Sequence, residues 1–159
     1  MADIFGKKER SRIMSRIRGT NTKPEINIRK QLYACGFRYR LHDKTLPGRP
    51  DLVFKKSNAV IFIHGCFWHN HHCTYGKLPA THKKFWTEKL TRNAQRDKEH
   101  IAQLTQAGWR VKVIWGCMLK NRQEIASRRM LSHLVAWLSA GNNTRKAKKK
   151  CSSLAFGRH

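Results

Sequence analysis

Acidic side chains are scarce in this sequence: 9 Asp and Glu residues stand against 34 Lys and Arg residues, for a formal net charge of +25. Such an imbalance favours a polyanionic partner, and nucleic acid before a membrane surface. Scarcity also makes the position of each carboxylate informative, because an acid on an apolar face is costly unless it has a partner. The positions that need such an explanation are those of Glu25, Asp51 and Asp97.

Long apolar runs are missing as well. No stretch of about 18 apolar residues occurs, so the sequence predicts no membrane-spanning helix. The first residues, MADIFGKKERSRIM, also lack the apolar core of a signal peptide. We therefore expect an intracellular protein with reduced cysteines. An odd count of 5 cysteines, beside a tight group of histidines, indicates metal binding rather than disulfides.

The 159 residues predict one folded domain between two basic segments. Residues 1–20 include KKERSRIMSRIR, which is either a short solvated helix or a basic arm that clamps DNA. Residues 21–140 hold the strongly periodic segments and form the predicted domain. Residues 141–159 contain RKAKKK, and we expect this basic tail to be disordered.

The hydrophobic pattern predicts an α/β fold with a mixed sheet flanked by helices. A helix over 22–36 precedes strands over 37–43, 51–56 and 59–64, followed by a helix over 82–107, a strand over 109–115 and a helix over 122–139. The first three strands form a meander, and the crossover through the long helix makes the last pair parallel. The runs AVIFI (59–63) and WRVKVIW (109–115) both have the apolar character of central strands.

The three acids take different places in this pattern. Glu25 lies in the first turn of its helix, where the dipole favours an acid, but also on the apolar stripe that includes Ile28. Asp97 lies on the buried face of the long helix and should pair with an arginine or a histidine. Asp51 opens a strand directly after the turn LPGRP. Asp51 is therefore the acid that the pattern places in a candidate catalytic site, whereas the helix dipole is the slightly better explanation of Glu25 and a cationic partner is the explanation that Asp97 requires.

Two strand ends carry residues that suit a closed tetrahedral structural zinc site: Cys66, His71, Cys73 and Cys117. The site would staple the loop after the 59–64 strand to the end of the 109–115 strand. His72 or His69 is an alternative fourth ligand, and four unrelated residues are the competing explanation. If zinc takes the first set, His64 and His69 remain near Asp51 as candidates for catalysis.

Aromatic residues surround this loop. Phe67 and Trp68 lie within it and look exposed, because a loop tip held by zinc cannot easily bury both. On a basic protein such aromatics suit insertion between base pairs, while a satellite hydrophobic cluster is the plainer explanation. Trp86 begins the apolar stripe of the long helix, so it is either core or a third member of the wedge.

The segments PGRPDLVF, VIFIHGCFWHNHHC, FWTEKLTRNAQRD and GWRVKVIWGC resemble the very-short-patch repair (Vsr) mismatch endonucleases. The resemblance covers about residues 8–138 and implies a restriction-endonuclease-like fold with a structural zinc. It implies that one strand is nicked 5′ to the thymine of a T:G mismatch, left by deamination of 5-methylcytosine, which initiates short-patch repair. It also implies a bacterial cytoplasmic protein, associated with the nucleoid, that contacts the general mismatch-repair machinery. We expect a monomer, which suits a cut in one strand.

The resemblance further implies the metal ligands of the reaction. Asp51 would bind a catalytic Mg²⁺ together with the backbone carbonyl of Ile63. The family usually has a hydroxyl residue where Ile63 stands. If only the backbone carbonyl binds the metal, isoleucine is tolerated at this position; if the hydroxyl is also needed, metal affinity or the reaction rate should fall.

Other roles follow from the same resemblance. His69 would be the general base, oriented by Asp97, while Glu25 and His64 would hold metal-bound water. The zinc ligands would be Cys66, His71, Cys73 and Cys117, and the residues inserted into DNA would be Phe67, Trp68 and Trp86. The N-terminal arm would embrace the duplex.

Two other functions use parts of the same pattern. A zinc-stabilised DNA-binding module without catalysis explains the charge and the aromatics, but not the three placed acids. A zinc hydrolase built on His64, His69 and His71 leaves the cysteines without a role. Nicking that depends on Mg²⁺ separates both alternatives from the endonuclease.

Overall fold

The computed structural model describes residues 19–120 and 124–141, together with Gly6, Lys8, Glu9, Arg12 and Ser15. Most of the expected DNA-clamping arm (1–20) and nearly all of the expected tail (141–159) lie outside the described residues. Among the helices that are described, none has the length and apolar character needed to cross a membrane.

The described elements are helix α1 (Lys23–Ala34), strands β1 (Arg40–Leu41), β2 (Leu52–Phe54) and β3 (Ala59–His64), helix α2 (Lys83–Gln106), strand β4 (Arg110–Trp115), and helices α3 (Gly116–Lys120) and α4 (Glu124–Ala140). The sheet order is β1-β2-β3-β4. The first two pairs are antiparallel, and β3 pairs with β4 in parallel. The predicted mixed sheet with flanking helices is therefore confirmed.

Three details of the sequence prediction are wrong. Strand β1 has two exposed residues rather than the seven of 37–43. Strand β2 ends at Phe54 rather than at residue 56, because Lys55–Ser57 form a 3-10 turn. The predicted last helix is present as α4, and the short helix α3, which was not predicted, directly follows β4. Strand β4 lies at the edge of the sheet formed by the described residues, and only Ile114 in it is buried. Its basic residues explain the error, because Arg110 and Lys112 lie over the Trp137 ring of α4, at 4.6 and 5.0 Å, instead of facing a further strand.

Helix α1 ends as the sequence predicts, at a glycine. Gly36 adopts a left-handed φ of 90°, which an L-residue with a side chain rarely takes. Its N–H donates to Tyr33 O at 2.9 Å, and the next N–H, of Phe37, donates to Leu32 O at 3.0 Å. This Schellman pair satisfies the last carbonyls of the helix and turns the chain back toward the sheet.

The sheet is buried on both faces around β3, as predicted for AVIFI. One face packs Ile61 with Leu32 of α1 and Leu138 of α4. The other face packs Val60 with Leu104 of α2. Each fully buried side chain of this size contributes about 1.5–3 kcal/mol. Two packed faces therefore hold the end of β3 rigidly, and the site is built there.

Candidate active site

The site lies where β3 ends and β2 begins. A cavity of about 430 Å³ opens there, between α1, the loop before β2 and the middle of α2. Seven carboxylate and imidazole side chains line it: Glu25, His42, Asp51, His64, His69, Asp97 and His100. The structure thus brings together all five catalytic candidates of the sequence analysis and adds two histidines.

Asp51 enters this cavity with its side chain 16 % exposed. Its Oδ2 accepts a hydrogen bond from the Ile63 N–H at 2.6 Å. The pKa of Asp51 is raised, mainly because burial disfavours the carboxylate and also because Glu25 adds negative charge. The bond from Ile63 and the nearby His42 and Arg29 oppose that rise. A cation beside Asp51 would remove the cost of ionising it.

Glu25 is 3 % exposed, although it is charged and lies in the first turn of a helix. Its Oε1 accepts from the Thr22 hydroxyl at 2.8 Å, and its Oε2 accepts from the Asn21 N–H at 2.9 Å. Arg29 donates to Oε2 as well, at 2.9 Å. Glu25 therefore has both positions considered from the sequence: it bonds groups at the start of α1, and it lies on the inner side of the helix, where it lines the cavity.

Asp97 has a histidine as its partner, one of the two types expected. His69 Nδ1 and Asp97 Oδ2 are 2.6 Å apart. Burial would raise the pKa of Asp97, but the hydrogen bond from His69 and the charges of His69, His64 and Arg96 hold it below its usual value. An ionised carboxylate only accepts, so Nδ1 carries a proton in this bond and Nε2 is the ring nitrogen left for other contacts.

His64 forms the wall beside this pair. It is 6 % exposed, and its ring stacks on that of His69 with centroids 3.8 Å apart and planes 6° apart. Burial, followed by the neighbouring His69, lowers the pKa of His64 to about 4, against the opposing effect of Asp97. His64 is therefore neutral near pH 7, so it adds no positive charge to the cavity wall.

A second cluster lies immediately beyond Gly65. Its ligand atoms all lie within 4.8 Å of one another and belong to the four residues predicted from the sequence: Cys66, His71, Cys73 and Cys117. The Cys117 N–H donates to Cys66 Sγ at 3.2 Å, and Cys117 Sγ is 3.7 Å from His71 Nδ1. Three thiols and one imidazole are a donor set that suits a closed tetrahedral metal site.

The other histidines of the loop do not join this cluster. His72 is exposed, and His69 is bonded to Asp97. His71 is oriented by Trp115, whose ring stacks on it at 4.1 Å and 11°. Burial raises the pKa of Cys66 to about 11, so a bound cation would be needed to keep this thiol ionised near pH 7. With His71 as the histidine of the cysteine cluster, His69 remains available to the cavity.

The predicted wedge residues form one aromatic cluster. Phe67 lies 5.1 Å from both Trp68 and Trp86, measured between ring centroids, and the two tryptophans are 6.1 Å apart. All three are half-buried rather than freely exposed, because each packs on the other two. Phe85, which the sequence analysis did not single out, extends the cluster and is 53 % exposed. Lys89 places its ammonium 5.3 Å from the Trp86 ring.

This aromatic cluster faces the acid site across open space. A larger cavity, of about 920 Å³, is lined by the four aromatic residues of the cluster. Both cavities are lined by Glu25, Ile63, His64 and His69. A molecule that contacts the aromatic rings therefore also reaches the carboxylates and imidazoles.

Sequence reasoning missed three polar residues of the site. Arg29 follows Glu25 by one helical turn, a spacing that signals an ion pair. His100 follows Asp97 at helical spacing and lines the same cavity. His42 carries no such signal, because its Nδ1 comes within 3.6 Å of Asp51 Oδ1 only through the path of the β1–β2 loop.

Comparison with known proteins gives a consistent result. Residues 2–75 match the family model described as DNA mismatch endonuclease Vsr. The chain is 41% identical to the DNA mismatch endonuclease Vsr of Escherichia coli over 138 residues, which cover 87% of this chain and 88% of that protein.

Two nicking enzymes are similarly related. The type II nicking enzyme V.NmeAIP of Neisseria meningitidis is 46% identical over 122 residues, covering 77% of this chain and 87% of the relative. The type II nicking enzyme V.XorIIP of Xanthomonas oryzae is 41% identical over 128 residues, covering 80% of this chain and 94% of the relative. In each case the aligned part is most of both proteins.

Proposed function

Because this chain belongs to the DNA mismatch endonuclease Vsr family, we propose that it nicks one DNA strand 5′ to the thymine of a T:G mismatch and so initiates short-patch repair. Membership makes the protein a DNA endonuclease, and its mixed sheet is consistent with the restriction-endonuclease-like fold of the family. One observation carries the specific proposal: a single cavity holds Asp51, an ordered His69–Asp97 pair and the buried Glu25.

The residues around Asp51 fit a magnesium ion. Mg²⁺ takes oxygen ligands and retains several waters, and Asp51 offers an oxygen within 4.8 Å of one from Glu25. The N–H and C=O of an extended residue point toward the same neighbouring strand. The Ile63 carbonyl therefore faces the side on which its N–H bonds Asp51. A carbonyl ligand needs no hydroxyl, so isoleucine is tolerated there. The bound ion would supply charge neutralisation at the scissile phosphate.

His69 is the proposed general base. Its Nδ1–H is held by Asp97, which leaves Nε2 to take a proton from the attacking water. The stacked His64 fixes the plane of that ring. Glu25 and the neutral His64 line the cavity on the Asp51 side and would hold waters of the metal ion.

The aromatic cluster is the proposed wedge. Phe67, Trp68 and Trp86 wall the cavity that adjoins the acid site, and partial exposure leaves ring surface for stacking on bases. Stacking on an aromatic side chain contributes about 1–3 kcal/mol per base. The nearby Lys89 adds positive charge where the phosphate backbone would pass.

The cysteine cluster is the proposed zinc site. It joins the end of β3, through Cys66, to the start of α3, through Cys117. Such a link supports the loop that carries His69 and the aromatic rings. Its role would be structural, since all four ligand positions of a tetrahedral ion are supplied by the chain.

The proposed partner is double-stranded DNA with a T:G mismatch, which the net charge of +25 favours through contacts with phosphate. We place the enzyme in the bacterial cytoplasm, on the nucleoid, acting as a monomer on one strand. Contact with the general mismatch-repair machinery is part of the same proposal, since a nick must be passed to enzymes that resynthesise the patch.

A labelled duplex with one T:G pair, and the same duplex with T:A, test this proposal. We expect one nick 5′ to the mismatched thymine that requires Mg²⁺ and is abolished by EDTA. Asp51→Ala should abolish nicking and leave T:G binding within about threefold, since it removes the ion ligand and not the wedge. Trp68→Ala should weaken T:G binding by about tenfold or more. Nicking at a normal rate by Asp51→Ala would overturn the metal assignment.

A non-catalytic zinc-stabilised DNA-binding module is the second candidate function. The aromatic cluster, the cysteine cluster and the net charge favour it as well. Tight T:G binding without cleavage, over several flanking sequences, would establish it in place of the endonuclease.

A further inference from the structure

Arg29 occupies an unusual place next to the acid site. It is 8 % exposed, and its guanidinium bonds three different groups. Nη1 donates to Asn21 Oδ1 at 2.5 Å, while Nη2 donates to Glu25 Oε2 at 2.9 Å and approaches His42 Nε2 at 3.0 Å. The Tyr39 hydroxyl donates to the carbonyl of Arg29 at 3.0 Å and fixes its backbone.

These contacts determine the state of the His42 ring. An arginine has donors only, so His42 Nε2 must be the acceptor in its contact with Nη2. The ring is then neutral with its proton on Nδ1. That nitrogen is the one that faces Asp51, 3.6 Å from Oδ1. The Nδ1–H group of His42 thus points toward the Asp51 carboxylate, the proposed ligand of the metal ion.

The backbone at His42 is held in a strained conformation to make this contact. Its φ is 46°, a left-handed value that is uncommon for a residue other than glycine. Such strain costs about 1–3 kcal/mol and persists only where the surroundings impose it. Arg29 carries a cost as well, because its Nε is buried without a hydrogen-bond partner in the described part of the chain.

We propose that Arg29 and His42 are positioning residues that tie the carboxylates of Glu25 and Asp51 into one rigid cluster and so set its affinity for a divalent cation. This inference rests on the proposed function, in which Asp51 binds that cation. The path runs from Glu25 through the Arg29 guanidinium and the His42 ring to Asp51. It joins helix α1 to the start of β2.

The physical reason is the proximity of two negative groups. The ligand atoms of Glu25, His42 and Asp51 all lie within 4.8 Å of one another, so both carboxylates repel and would rotate apart if they were free. Nη2 of Arg29 contacts both Glu25 and the His42 ring, while Nη1 holds the guanidinium in place by its bond to Asn21. Loss of such outer contacts typically weakens metal binding by about 10–100-fold.

The test compares four variants with one matched control. Arg29→Met and Arg29→Lys break the fork, and His42→Ala and His42→Asn alter the ring. Lys30→Met is the control, because Lys30 is the next residue of α1, is exposed and loses the same charge. All proteins are purified with their cysteine cluster metal-loaded. Mn²⁺ binding is measured by titration calorimetry, with Asp51→Asn as the blank.

We expect Arg29→Met to weaken Mn²⁺ binding by about tenfold or more and His42→Ala by several-fold. His42→Asn should recover only part of the loss, because asparagine tolerates a left-handed φ and can place its amide N–H near the position of Nδ1, but it has no atom in the place of Nε2 to contact Arg29. Mn²⁺ binding by Arg29→Lys should remain weak, since lysine has no second nitrogen to bond Asn21 and fix the donor that contacts Glu25 and His42. Binding to a T:G duplex in EDTA should match that of Lys30→Met.

A spectroscopic readout is independent of the metal. Imidazole ¹⁵N spectra should show the Nδ1–H tautomer for His42, and Arg29→Met should abolish that preference. Mn²⁺ affinity of Arg29→Met equal to that of Lys30→Met, with or without a fall in Tm, would reduce Arg29 to a structural residue and overturn the inference. If Arg29→Met does not fold, Arg29→Lys decides in the same way.

Mn²⁺ binding and nicking by the wild-type protein test the proposed function separately from this inference. Mn²⁺ binding equal to that of the Asp51→Asn blank, without metal-dependent nicking, would remove the metal site and this inference together. If the wild-type protein binds Mn²⁺ in a way that depends on Asp51, and both Arg29 variants bind it equally well, the proposed function stands and only the roles of Arg29 and His42 are overturned.

Discussion

The cysteine cluster and the carboxylate cluster are two of the three compact groups of metal-type ligands among the described residues, and they differ in chemistry and in access. The cysteine cluster consists of three thiols and an imidazole; the carboxylate cluster consists of Glu25, His42 and Asp51. Within each, the ligand atoms lie within 4.8 Å of one another. Soft donors that supply four positions suit a structural ion, whereas hard donors beside a 430 Å³ cavity leave positions for water and substrate. Similar spacing therefore serves opposite purposes.

The clusters also differ in how the chain holds them. The cysteine cluster is held by its own short loop and one bond from Cys117. The carboxylate cluster depends on side chains that arrive from α1 and from the β1–β2 loop. We expect damage to the first to appear mainly as lost stability, and damage to the second mainly as lost activity.

The largest effect should come from breaking the cysteine cluster. Cys117→Ala removes one of four ligands, so we expect loss of bound zinc and a fall of more than about 4 kcal/mol in the free energy of unfolding. Zinc content and chemical denaturation measure this. The matched control is Cys35→Ala, a buried cysteine in the core away from the cluster, which should keep its zinc. An unchanged zinc content in Cys117→Ala would show that this ligand is misassigned.

Breaking the His69–Asp97 pair should leave the fold intact and slow the reaction. Asp97→Asn removes the charge that holds the proton on His69 Nδ1, so we expect the rate of nicking to fall by about 10³-fold. Single-turnover nicking of the T:G duplex measures this, with Glu99→Gln as an exposed control on the same helix. Equal rates for the two variants would contradict the role of His69 as base.

The smallest effect concerns His64, which stacks on His69. Its pKa is about 4 in the folded protein and its ordinary value is 6.5. Below pH 6.5 the unfolded chain therefore takes up a proton that the folded chain refuses until about pH 4. Stability is complete above pH 6.5 and is lost as pH falls toward 4, by about 3 kcal/mol in total.

Comparison with His64→Gln isolates this contribution. The variant lacks the titrating group, so the difference in unfolding free energy between the two proteins should change across this pH range. Protonation of the cysteine cluster affects both proteins and cancels in that difference. A difference that stays constant from pH 7 to pH 4 would show that His64 is protonated as easily in the folded state as in the unfolded state.

Local patterns in the chain were sufficient for much of the site. The cysteine cluster was predictable because three of its ligands lie within eight residues after one strand and the fourth follows the strand paired with it. The position of Asp97 on the inner face of α2 was predictable because a helix repeats every 3.6 residues, so intervals of three and four define one face, although its side chain is half-buried rather than fully buried. Its partner was left open between arginine and histidine, because periodicity locates a residue and says nothing of what approaches it.

The sequence by itself determined the order of the elements, the buried strand β3 and the residue types at its end. Those features depend on neighbours close in the chain. Only the tertiary structure decided that β4 is an edge strand, that the wedge aromatics pack on one another, and that Arg29 reaches His42. These are contacts between separate elements, and the last of them joins a left-handed residue after β1 to a side chain of α1. Their free energies come from burial and geometry that exist only after the sheet has formed.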